Sequence, residues 1–277
     1  MFINWLITPL QYEFMQRGMI AAVLVGIVCA VAGTYVVLRG MAFFGDALAH
    51  TILPGIAIGY LITGGVRDTL FWWALGTAVI AALGIGAISK QAAIKEDTAI
   101  GIIFAGMFAL GIALISTVQS YAVDLSHFLF GDVLGVSVRS LWLIVIFGAI
   151  VLLTIAAFYK EFLTLSFDPV LAATLRLPVN LLNNLLLGLI AVTVAVSLQT
   201  VGVALMVAML VTPAATAYLL TKRLPMMMAL SAIFAAVSSA IGLYLSYYLS
   251  IASGAAIVLT ATAIFVISFL AKRFRPG

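Results

Sequence analysis

A chain of 277 residues with 65% of them apolar, against 13 Lys+Arg and 9 Asp+Glu, has too little polar surface to stay in water. Soluble domains carry about 25% charged residues, whereas 8% are charged here and the mean hydropathy is +1.30. The composition reads as an all-α polytopic membrane protein, a single transmembrane domain over residues 1–277 with the lipid bilayer as its solvent. It excludes a cytosolic enzyme, a secreted disulfide scaffold and a disordered regulator. The formal charge of +4 does not point to nucleic acid, because the basic residues sit in short loops between apolar runs and report topology instead. The single cysteine, Cys29, lies inside an apolar run, so neither an intrachain disulfide nor a thiolate cluster is available.

The N-terminal stretch through Gly18 has no basic start and no small-residue cleavage site, so it reads as an interfacial segment with Trp5 and Tyr12 at the membrane boundary rather than as a removable signal. Apolar spans follow at 18–38, 42–62, 70–88, 98–118, 139–159, 182–198, 201–220, 225–249 and 254–271. The sixth and seventh are separated only around Gln199, Thr200 and Gly202, which makes them either a tight hairpin or one broken helix. Nine spans are expected, and eight if that pair fuses. Sorting the basic residues by alternating loops places Arg39, Lys90, Lys95, Lys160, Arg176, Lys222, Arg223, Lys272, Arg273 and Arg275 on one side and Arg17, Arg67 and Arg139 on the other. The richer side is cytoplasmic. With nine spans the C-terminus is then cytoplasmic and the N-terminus outside.

Two loops stand out. The outer one, 119–138, carries Asp124, His127 and Asp132, and its apolar middle reads as a re-entrant or interfacial element. The inner one, 160–184, contains Asp168-Pro169 followed by Val170 to Arg176 and then Pro178. Asp at the N-cap, Pro at the first helical position and a second Pro past the end specify a short cytoplasmic helix. It serves either as a capped connector or as an element that a partner protein pushes on.

Soluble-type machinery is missing. There is no Gly-x-x-x-x-Gly-Lys-Ser/Thr run to cradle a nucleotide phosphate. No nucleophile elbow surrounds His50 or His127, so no residue is assigned a catalytic role. Glycines such as Gly101, Gly106 and Gly111 follow the small-residue spacing of close helix packing. Met206 and Met209 read as gap-fillers in preference to soft metal ligands.

The second span carries the chemistry. Asp46 and His50 are four apart, so on a helix they project from one face about 6 Å from each other. An Asp at the centre of a membrane helix costs roughly 2.5–3.5 kcal/mol on insertion scales, a cost seldom carried for packing alone. Pro54 has no N–H to offer the His50 carbonyl, which leaves that carbonyl free to face a cavity. Carboxylate, imidazole and carbonyl at one depth suit a divalent cation. An Asp–His hydrogen-bonded pair joining two helices and a proton relay are the competing readings.

The run LRGMAFFGDALAHTILPGIAIGYL, starting at Leu38, resembles the signature of the bacterial ABC-type manganese/zinc/iron permeases, the ABC-3 family. The resemblance continues through Ile94–Gly101, Phe130–Leu134, Ser166–Pro169, Val201–Met206, Thr212–Ala217 and Gly254–Leu259, nearly the whole chain. It implies the permease subunit of an ATP-driven importer in the bacterial inner membrane, partnered by a cytoplasmic ATP-binding subunit, an extracytoplasmic metal-binding protein and a second permease copy. It carries no permanently bound cofactor, only the transported manganese, zinc or iron. Asp46 and His50 match the family's metal-coordinating positions. The segment with Asp168, Pro169, Ala172 and Arg176 resembles its coupling helix, while Pro54, Gly55 and Pro213 fall at expected helix breaks with a gating role. The family often has an acidic residue and a proline before the last span, where this chain reads Ser250-Ile251-Ala252-Ser253-Gly254. The rival mechanism is a secondary carrier in which Asp46 and His50 exchange protons for metal.

Overall fold

The structure, a computed structural model, describes residues 8–64, 67–92, 94–117 and 133–273. These residues form helices joined by short turns, with no strand among them. In chain order the helices are α1 (Glu13–Leu38), α2 (Phe44–Thr51), α3 (Leu53–Thr63), α4 (Arg67–Gln91), α5 (Glu96–Ser116), α6 (Val138–Ala157), α7 (Tyr159–Phe167), α8 (Pro169–Thr174), α9 (Val179–Val201), α10 (Val203–Leu220), α11 (Leu224–Leu249) and α12 (Ser253–Arg273). Counting α2 with α3 as one, nine spans among the described residues are long and apolar enough to cross a membrane.

The helix ends have local causes. At the end of α1, Arg39 caps and Gly40 takes φ +70°. Gly64 closes α3 with φ +66°, and α11 begins with Pro225 in its first turn. Gly202 is the only residue between α9 and α10 and adopts φ +81°, ψ 171°, a conformation that excludes residues with a side chain. The sixth and seventh spans are therefore two helices, and they pack on different neighbours: α9 on α4 and α6, α10 on α11 and α12, with α1 touching both.

The bundle is built around α1. In its apolar stretch 67% of the residues are buried, as in α2–α3 and α9, against 17% in α5 and in α12, which lie at the periphery. Close approach depends on missing side chains. A Cβ on Gly33 of α1 would overlap the backbone carbonyl of Leu210 in α10, so this crossing is held by backbone against backbone. Two side-chain hydrogen bonds tie the centre together: Cys29 Sγ lies 3.2 Å from Ser197 Oγ of α9, and Ser239 Oγ of α11 donates to the Ala22 carbonyl at 3.1 Å.

Several expectations are corrected. The second span is two helices that meet at Ile52, two residues before Pro54, which sits in the first turn of α3. Pro213 breaks nothing: α10 runs through it, and the ring is buried in the bundle, where packing outweighs the one backbone bond it removes. Among the glycines of α5, Gly111 does pack closely, against Leu53 and Pro54, but Gly101 and Gly106 meet nothing within 4 Å. Helix α1 begins five residues early, with Glu13 and Arg17 paired on its first turns and Tyr12 as the exposed N-cap. The inner loop holds α7 in addition to the expected short helix. Trp5, Asp124, His127, Asp132 and Arg275 lie outside the described residues, as does most of the 119–138 loop.

Candidate intramembrane metal site and coupling segment

Helix α2 presents Asp46 in its first turn, where the helix dipole favours a carboxylate, and His50 in its last. His50 Nδ1 lies 2.9 Å from the backbone carbonyl oxygen of Asp46 and 3.7 Å from Asp46 Oδ1. A carbonyl oxygen can only accept, so Nδ1 carries a proton, and the tautomer this contact selects is the one with its lone pair on Nε2. Phe104 and Phe108 of α5 meet the imidazole edge to face, with centroids at 5.8 and 5.5 Å, and Phe43 leans on Phe104 at 5.5 Å. The histidine is thus fixed in tautomer by its own helix and in orientation by its neighbour. Both side chains remain open, 27% for His50 and 34% for Asp46. Among the described residues no third His, Cys, Asp or Glu joins them to make a larger ligand cluster.

The structure brings together the two residues that the sequence singled out, and it gives the third donor a local partner. The N–H of Ile52 turns back to the His50 carbonyl, so that oxygen is met locally by the kink rather than left bare. Gly55 is a contact point: a Cβ there would overlap Thr77 Oγ1 and lie 2.7 Å from the Trp73 carbonyl oxygen, so its hydrogen lets α3 lie against α4.

The candidate coupling segment starts where its sequence signals put it. Asp168 Oδ1 accepts from the backbone N–H of Val170 at 3.0 Å and of Leu171 at 2.9 Å, and Pro169 opens α8. The helix stops at Thr174, so Arg176 lies beyond it, exposed and in the left-handed region at φ +58°. Ala172 is wholly buried and faces the protein's own interior, whereas Val170 is 75% exposed and Leu171, Leu175 and Phe167 are exposed with it. An outward-facing role fits that apolar ridge, not Ala172.

Sequence reasoning used Arg39 for topology only and missed what it holds. Its Nη2 donates to Glu96 Oε1 at 2.6 Å and to Asn183 Oδ1 at 2.5 Å, tying the end of α1 to the starts of α5 and α9. Burial lowers the pKa of the guanidinium and Glu96 beside it works the other way. One turn before, Tyr35 meets Phe162 of α7 edge to face at 5.8 Å. The signal was present in the opposite charges of Arg39 and Glu96, both just outside apolar spans.

The ABC 3 transport family matches residues 11–272. The chain belongs to that family. It is 47% identical over 174 residues to the manganese transport system membrane protein MntC of Halalkalibacterium halodurans, covering 63% of this chain and 58% of the relative. The protein of the same name in Listeria monocytogenes is 50% identical over 174 residues, covering 63% of this chain and 60% of the relative. The matched stretch thus spans about three fifths of the length of these curated relatives. Among solved structures, PsaBC from Streptococcus pneumoniae in complex with Fab superposes with a TM-score of 0.83 at 39% identity, covering 99% of this chain and 98% of that one.

Proposed function

We propose that the chain is the membrane permease subunit of an ATP-driven importer of divalent metal, manganese first, in a bacterial inner membrane. One observation carries the reading. Asp46 and His50 offer a carboxylate oxygen and a pre-set Nε2 from one half-open face, two donors where a divalent ion takes four to six. A second copy across a two-fold axis supplies four, and two Asp46 carboxylates balance the ion's charge. Without the ion the same carboxylates repel in a low-dielectric setting, so the site favours a transient cation over an empty state. Oxygen and imidazole suit manganese and zinc alike, and the matched relatives are named for manganese transport.

The remaining parts follow from family membership and geometry. The chain has no phosphate-binding loop of its own, so ATP is hydrolysed on a separate cytoplasmic subunit, which seats against the exposed ridge of α8. An extracytoplasmic binding protein delivers the ion to the opposite face. Affinity at Asp46 and His50 is modest, because a transported ion must also leave. Nine spans crossing in alternation would carry Arg39, Lys90, Lys95, Lys160, Arg176, Lys222, Arg223, Lys272 and Arg273 on one face, which supports a cytoplasmic C-terminus. Cysteines placed at Ser126 and just beyond Arg273 test it: an impermeant thiol reagent added outside labels the first and spares the second.

Uptake of radiolabelled Mn2+, Zn2+ and Fe2+ by a strain lacking the chain, with and without its restoration, tests the function. The expected result is manganese uptake that returns with the chain and disappears when the ATP-binding subunit is removed. Uptake that survives that removal and follows a pH gradient refutes the proposal.

A further inference from the structure

A groove of about 680 Å³ opens at the end of the bundle where α6 gives way to α7 and α10 turns into α11. One wall is Tyr159, Leu163 and Phe167, which fall on one stripe of α7, and the other is Lys222, Arg223 and the first two turns of α11 as far as Ala229. Phe167 also borders the ridge proposed for the ATP-binding subunit; no other lining residue has a part in the importer mechanism. We infer that this groove binds an anionic phospholipid of the adjacent leaflet, with Lys222 and Arg223 taking the phosphate and the apolar walls taking the glycerol and the upper acyl chains.

Three observations favour that occupant. First, the site lies at the membrane boundary, because α10 ends at Leu220 and the apolar span of α11 begins at Leu224. Met226, in the first turn of that span, is 52% exposed, so the groove is open to the depth at which acyl chains start. Second, both cations are exposed, and among the described residues neither forms an ion pair with a carboxylate. Third, the lining is amphiphilic, with two positive charges at one end of an otherwise apolar wall. A free anion would leave those walls wet, and a neutral lipid would leave the cations unused. Basic pockets between helix ends at a membrane surface are where lipid headgroups are recognised, each Lys or Arg contributing about a factor of five in affinity.

The test uses the full-length chain purified in a neutral detergent, with retained lipid counted by native mass spectrometry. Phosphatidylglycerol and phosphatidylcholine of identical acyl chains are titrated in parallel, with glycerol 3-phosphate as the free-anion arm. The expected result is saturable retention of phosphatidylglycerol, weak retention of phosphatidylcholine and no competition by glycerol 3-phosphate. Lys222→Gln with Arg223→Gln raises the half-saturating concentration about 30-fold, the product of the two factors. Lys90→Gln with Lys272→Gln, the same loss of charge elsewhere at the boundary, leaves it unchanged. Ala229→Trp, at an exposed position on the groove wall, excludes the lipid with both cations in place. Equal retention of the two lipids overturns the inference. So does a double variant that binds phosphatidylglycerol normally, competition by glycerol 3-phosphate at matched concentration, or loss of a co-purifying ATPase with lipid retention intact. The lipid comparison on the unaltered chain and the Ala229→Trp arm decide the matter even if the double variant is poorly recovered.

Discussion

Helices α2 and α8 are both short and each is marked by an aspartate, yet the two carboxylates are in opposite situations. Asp168 accepts from the backbone N–H groups of Val170 and Leu171, which ties it to the first turn of α8. Asp46 lies 3.7 Å from the nearest imidazole nitrogen, beyond hydrogen-bonding distance, with its side chain one third open. A carboxylate that satisfies a helix end is structural; one held on a membrane helix without such a partner is available to a ligand. The comparison separates the two roles by what each oxygen touches rather than by residue type.

The sharpest way to break this comparison is to make the same substitution twice. Asp46→Asn removes the charge that a divalent ion requires, so metal uptake falls about 100-fold or more at equal protein level. Asn caps a helix as well as Asp does, so Asp168→Asn leaves uptake near the parental rate. Equal effects of the two substitutions would dissolve the distinction. His50→Ala belongs with Asp46→Asn, because it removes the Nε2 donor that the Asp46 carbonyl orients.

The second prediction concerns the exposed face of α8. Val170→Asp with Leu171→Asp puts two charges on the ridge without touching the cap, since their backbone N–H groups still reach Asp168. Affinity for the ATP-binding subunit falls about 30-fold, the loss typical of a central anchor in an interface, measured by co-purification and metal-stimulated ATP hydrolysis. Thr174→Asp, at the end of the same helix, is the milder comparison.

The spans and the α8 cap were legible because each depends on neighbours in sequence: apolar runs of membrane length and Asp-Pro at a helix start. The Asp46–His50 pair was legible for the same reason, a spacing of four on one helix. What the sequence concealed depends on partners distant in the chain. The ridge could not be told from the buried face of α8, because six residues are too few for a periodic pattern and Ala172 is apolar like the residues around it. Nor do the flanking residues of Gly55 and Gly106 reveal which one lies against Thr77 and which meets nothing. The break between α6 and α7 carries no Gly or Pro to announce it, only Phe158 in a non-helical conformation.

The third prediction probes the connection between the two regions. Arg39 precedes α2 by a short turn and reaches both Glu96 and Asn183, and Asn183 lies on the helix that follows α8. Glu96→Gln leaves a largely buried guanidinium without its counter-charge. The cost is about 2 kcal/mol of stability, between the values for exposed and fully buried pairs. Thermal unfolding in detergent measures it, with Asp97→Asn next to it as a near-neutral control.

The smallest effect is the cap itself. Asp168→Ala removes two accepted N–H bonds and costs about 1 kcal/mol, and the loss stays local for a structural reason. The far end of α8 is secured independently of Asp168: the Leu177 N–H donates to the Ala172 carbonyl at 3.1 Å and the Arg176 N–H to that of Ala173 at 3.0 Å. Ala172 also remains buried against the bundle. The first turn therefore frays while the helix stays docked. Amide exchange at Val170 and Leu171 accelerates about fivefold, the equivalent of that free energy, and exchange at Leu177 does not change. If Leu177 accelerates equally, α8 is released as a unit, and Asp168 holds the whole segment in place instead of capping one turn.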